Sequence, residues 1–245
     1  MLCFTRILFP IFFIFCMTGC GVRSSYFDPD LLTEIPPGER QLIELQMKDR
    51  QAKITTGRML FDVSVGSQQM RAVCVFNGTQ KMRVELFPAT LAVSSALLVK
   101  NNDKITVIKQ LEKKRMVTSD FAKSLEELIA IPIDEFELMI LLTGNVAPSY
   151  CRELQSLDST RAVCSNARSV LLISKSTGRV LSLEHFNPVG TLQLRGTYPA
   201  GGAAGEHLAP DEIVIELPLY DTTIELSLVS ATFNTPISDK IFVIP

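Results

Sequence analysis

The stretch Leu125–Gly144, LEELIAIPIDEFELMILLTG, decides the fold. Read from just upstream, Phe121, Leu125, Leu128 and Ile129 recur at helical spacing, and Ser119 or Asp120 stands where an N-cap belongs. Pro132 breaks that helix. IDEFELMILLTG then makes a second short helix, closed by Gly144. This second helix is apolar beyond a single stripe, so it would leave greasy surface in water unless it covers something. The acidic residues of LEEL and IDEFE are expected on solvated helix faces.

On both sides of this pair the period of the pattern falls to two. Upstream, Met59, Phe61, Val63 and Val65 share one strand face, then Met70, Ala72, Cys74 and Phe76, then Met82, Val84 and Leu86. Asn77-Gly78-Thr79 reads as a hairpin turn between the last two runs. LAVSSALLVKNND, KITVIKQ and KRMVTS continue the meander. Downstream come SVLLISK, RVLSLEHF, GTLQLRGTY, EIVIELPLY and TIELSLVSATFN. Ahead of all strands, PPGERQLIELQMKDRQ places Leu42, Ile43, Leu45 and Met47 on a first helix. The expected fold is mainly β (α+β), an antiparallel sheet of about ten strands with helices over one face.

The inner row of Met59, Phe61, Val63, Met70, Cys74, Phe76, Met82 and Val84 fits two arrangements, an ordinary packed core or the wall of a greasy cavity. Flexible, polarizable methionines suit an adaptable apolar site. Leu128 and Phe136, from the helix pair, would face the same space.

The chain carries 24 Lys+Arg and 26 Asp+Glu, net −2, so nothing in its charge suggests a nucleic-acid partner. LEKKRM and KMR are small basic patches best read as solvated strand edges. Its two histidines, His185 and His207, have no partner at ligand spacing, which argues against a metal site. No Gly-x-Ser-x-Gly elbow, P-loop or Rossmann glycine pattern occurs, so neither an enzyme nor a cofactor is expected.

At the front, Ile7–Met17 is an apolar run after the single charge of Arg6, too short to cross a bilayer. MTGC then resembles the lipobox of bacterial lipoproteins. That likeness implies a signal peptide over 1–19 and acylation of Cys20; the polar, proline-containing stretch 20–40 reads as a lipidated tether to a domain over 41–245. Two or three acyl chains anchor firmly, at ~0.8 kcal/mol per buried CH₂. Gly21, rather than an aspartate, leans towards the outer membrane. In the oxidising compartment this implies, Cys151 and Cys164, flanking a polar stretch able to close into a hairpin, are expected to pair. Cys74, in a strand pattern, reads as a small buried hydrophobe.

The order of elements resembles LolB-like outer-membrane lipoproteins of the LolA/LolB fold. The likeness rests on Gly57-Arg58 opening a strand and on Leu125, Leu128, Pro132, Ile133, Phe136 and Gly144 in the helix pair. Where that family carries a tryptophan this chain has Met139 or Ile140, and it has no tryptophan at all. The resemblance implies an unclosed, strongly curved half-barrel whose concave face is lidded by helices. It implies a cavity for acyl chains of lipoproteins or other lipids, and a LolA-like periplasmic carrier as partner. It implies a membrane-delivery loop at LFPATLAV, with Leu91 protruding or Phe87 beside it; the same Leu91 could instead begin the next strand facing inward. Two other functions fit the same pattern, a carrier or sensor of free lipid and a structural lipoprotein of an envelope complex.

Overall fold

The computed structural model describes residues 28–88, 94–110, 112–199 and 208–244. Cys20, the signal segment and Leu91 lie outside them. After β1 (Thr33–Glu34) and α1 (Pro37–Ala52), six strands run as a meander: β2 (Thr56–Val65), β3 (Gln68–Asn77), β4 (Lys81–Pro88), β5 (Ala96–Asn101), β6 (Lys104–Lys109) and β7 (Lys114–Thr118). Then come α2 (Phe121–Ile129) and α3 (Glu135–Thr143). A second meander follows: β8 (Glu153–Ser156), β9 (Arg161–Ser165), β10 (Ser169–Ser174), β11 (Val180–Phe186), β12 (Leu192–Thr197), β13 (Glu212–Leu217) and β14 (Thr222–Phe233).

All fourteen strands form one antiparallel sheet in the order β1-β8-β9-β10-β11-β12-β13-β14-β2-β3-β4-β5-β6-β7. The two meanders join where β14 lies against β2, from Ile224 opposite Val65 to Phe233 opposite Gly57. The end strands β1 and β7 do not pair with each other, so the sheet stays unclosed. It curves around one main apolar core into which all three helices pack.

The described strands number fourteen, against the eleven runs read from the sequence, because three short strands hide in polar sequence. β1 is two residues long, and β8 and β9 flank a turn rich in Ser, Asp and Thr. That turn is held by Asp158, whose Oδ1 accepts from the backbone N–H groups of Thr160 and Arg161 at 2.8 and 2.7 Å. These bonds hold the Asp158 carboxyl well below the usual carboxylate range. The hairpin's base is stapled by the Cys151–Cys164 disulfide. Since β1 pairs with β8 and α1 opens at Pro37, the folded part reaches into the stretch read as tether.

Of the apolar residues expected on α1, Ile43 and Met47 are buried, one turn apart, while Leu42 and Leu45 point to solvent. The buried pair packs beside the β10–β11 turn. There a Cβ on Gly178 would stand 2.6 Å from Met47 N, and φ is +65°, so the position needs glycine. On the convex side the last residues cross the first meander. Arg83 donates to Ile241 O at 2.9 Å, and Phe242 buries against Val75, Leu97 and Val99.

Candidate functional site: a cavity under the helix pair

α2 and α3 are short and their ends are pinned. Asp120 caps α2, accepting from Lys123 N–H at 3.0 Å. Asp134 and Glu137 form a reciprocal capping box on α3, and the helix ends at Gly144 with φ +66°. α3 is then tied to both halves of the sheet. Lys100, on the inner face of β5, donates to Glu135 Oε1 at 2.6 Å and to Thr79 O at 2.8 Å. Across the sheet, Glu137 Oε1 lies 2.8 Å from His185 Nδ1 on β11, and accepts from Ser169 Oγ on β10 and from Tyr150 OH. Tyr198 OH donates to Ile140 O at 2.8 Å. At the centre Leu141 sits on Gly196 of β12, where any Cβ would come within 2.2 Å of its Cδ2.

The acidic residues of the second helix are therefore not all solvated, as their sequence suggested. Glu137 is 2% exposed. Burial alone would raise its pKa, but the hydrogen bond and charge of His185, with Ser169 and the α3 cap, outweigh it and hold the carboxyl below the ordinary range. Burial, and then the neighbouring Glu137 charge, push the Tyr150 phenol above its ordinary value. Ser169 and Glu137 both address Nδ1 of His185. A nucleophile–base relay needs the hydroxyl on one ring nitrogen and the carboxylate on the other. The cluster is a clamp on α3, built as a buried polar network.

Pinned this way, the helix pair leaves a cavity of about 540 Å³ against the concave face. Phe61, Val63, Met70 and Val84 line it from the sheet and Leu128 from α2. Ala72, Cys74, Leu138, Leu141, Ile213 and Ile215 are among the other apolar residues of the wall. Burial pushes the Cys74 thiol up to about 12, so it behaves as wall rather than nucleophile.

Met59 and Met82 are fully buried but do not line the cavity. They sit at the far end of their strands, where Phe76 covers Gly57 so closely that a Cβ there would meet its ring at 2.4 Å. That end is packed solid. Phe76 and Phe136 instead border a second, more open groove of about 900 Å³ between the C-terminal end of α1, the β3–β4 turn and α3. Phe87 is half-buried on β4, opposite Arg71, on the face away from the cavity.

The polar lining gathers at the opposite end. Gln68, Ser95, Lys109, Glu112, Tyr220 and Thr222 all come from the strand ends and turns around the mouth. Lys109 continues the inner row of Ile105 and Val107, so alternation along KITVIK marks it as inward-facing, a signal that a search for purely apolar residues passes over.

No protein-family model matches the sequence, and no curated protein matches it either. Solved structures share the fold. A domain from Vibrio parahaemolyticus assigned as an outer membrane lipoprotein-sorting protein superposes with TM-score 0.57 at 11% identity, over 83% of this chain and 97% of that one. A LolA superfamily protein from Nitrosomonas europaea gives 0.55 at 11%, over 84% and 97%. A DUF1329 family protein from Desulfovibrio piger gives 0.55 at 10%, over 86% and 98%. At such identities the likeness is one of architecture, an unclosed LolA-like half-barrel with a helical cover.

Proposed function

We propose that this chain is a lipid-anchored envelope protein that shelters acyl chains, those of lipoproteins or of other lipids, beneath α2 and α3. The observation that carries the reading is the apolar cavity of about 540 Å³, within the usual size range of ligand sites and roofed by two capped helices. Burying a chain there contributes ~0.8 kcal/mol per CH₂, so exchange with another apolar cavity is nearly isoenergetic and needs neither nucleotide nor covalent chemistry. The lipobox at Cys20 supplies the anchor, and Gly21 favours the outer membrane facing the periplasm. The fold shared with a sorting domain and a LolA superfamily protein supports a role in placing lipoproteins there, with a LolA-like carrier as the donor.

Depletion in the native host, followed by fractionation of the two membranes, tests the sorting role. Lipoproteins retained in the inner membrane are the expected result; unchanged distribution removes it. Native mass spectrometry tests the cavity itself. Acyl species released from the folded protein are expected, and a uniformly ligand-free protein from lipid-rich cells would argue for a structural lipoprotein instead.

A further inference from the structure

The cavity's size and the placement of its polar groups carry the ligand class further. An apolar protein cavity of ~150 Å³ takes one six-carbon benzene. By that yardstick 540 Å³ takes about twenty carbons. This is one long chain, fewer than the two or three on a lipidated cysteine, so of the two cargo classes proposed above the volume favours another, single-chain lipid over a whole lipoprotein anchor. The packed end at Met59, Phe76 and Met82 blocks passage through, so a chain enters tail first and its head stays at the mouth.

At the mouth the inward-facing cation among the described residues is Lys109. Its side chain is 26% exposed, against 57% for its loose partner Glu112 at 3.6 Å. The other inner-face lysine, Lys100, is already bound to Glu135 and Thr79 O. Gln68 and Thr222 add neutral hydrogen-bonding groups elsewhere on the lining, from β3 and β14.

Resting on the acyl-chain reading above, we infer that the cavity takes a single-chain amphiphile with an anionic head, the carboxylate of a free long-chain fatty acid, held at the mouth by Lys109. Glu112 also lines the mouth, but at 3.6 Å and with its side chain 57% exposed it holds Lys109 only loosely, so an anionic head competes with it for the ammonium.

The test uses the full-length protein in phosphatidylcholine nanodiscs and diazirine photoprobes of matched tail length: a fatty acid, its methyl ester, a two-chain phospholipid and a triacylated lipopeptide. Peptides bearing Ala72–Cys74 and Leu138–Leu142 are read for label by mass spectrometry. The fatty acid is expected to label them most. Lys109→Gln should lower that labelling about tenfold, the scale of one charge-assisted hydrogen bond, and Lys109→Arg should restore it. Labelling of these peptides by the ester or the multi-chain probes as strongly as by the acid, or no effect of Lys109→Gln, overturns the inference and leaves the acyl-chain reading standing. No cavity label from any probe removes both.

Discussion

His185→Ala attacks the clamp that seats α3. His185 Nδ1 stands 2.8 Å from Glu137 Oε1, and Glu137 is 2% exposed. Removing the imidazole leaves a buried carboxylate with only the Ser169 and Tyr150 hydroxyls and the Asp134 amide. Breaking one side of a buried pair typically costs about 3–5 kcal/mol. For a domain of this size each kcal/mol moves Tm by about 2–4 °C, so Tm should fall by about 6–20 °C. Glu137→Gln keeps the size and the α3 cap but removes the charge, and should cost less, about 1–3 kcal/mol. In the Glu137→Gln background, His185→Ala should then lose about 1–3 kcal/mol of its effect. pH gives a second check. Glu137 has a folded pKa below its unfolded value, so its contribution is fully present above about pH 4.3 and is lost as pH falls through the folded value. Stability of the parent protein should therefore drop more steeply in acid than that of Glu137→Gln. Urea unfolding of the four proteins between pH 7 and pH 3 measures all of this. A cost for His185→Ala below 1 kcal/mol, or strict additivity in the double variant, would refute the clamp.

Three other outcomes are expected. Cys151→Ser/Cys164→Ser opens a loop with a sequence separation of 13 and should lower stability by about 3 kcal/mol, whereas adding reductant to that variant should change its urea midpoint no further. Ala72→Phe pushes a ring into the cavity and displaces about six carbons, so the longest chain bound should shorten by that amount and a full-length chain should lose about 3–5 kcal/mol of affinity, read by titration with chains of graded length. Leu91→Glu tests the proposed delivery loop: lipoprotein insertion into membranes should slow while chain binding persists, and unchanged insertion would end that role for Leu91.

Much of the fold was legible because its signals are local. Alternation set the strand faces, Pro132, the Ser119-Asp120 cap and Gly144 set the helix pair, and the cysteines bracketed the β8–β9 hairpin. Height along a strand was not legible. Period-two alternation says that Met59 and Phe61 share a face, but only the helix positions decide that one is packed solid and the other borders open space. The clamp escaped for another reason. Glu137 meets Ser169 and His185 across 32 and 48 residues of chain, and its local setting on α3 looks like any acidic N-terminal turn. Gly196 did leave a trace, a glycine inside a strand, which marks a close approach without naming Leu141 as what approaches.

The middle of the sheet is sewn by its last strand. Thr55 and Asn234 touch across 179 positions of chain, and β14 stands between two halves that are each made of neighbouring hairpins. Each half can zip locally, yet the hollow does not exist until Thr222–Phe233 has arrived and closed one very long loop. Until then β2 and β13 offer bare edges, the places where sheets misassociate with one another. The greasy compartment therefore depends on β14, which supplies Ile224 and Leu226 to its wall, and a polypeptide stopped short of β14 has two sticky half-sheets and nowhere to put a tail.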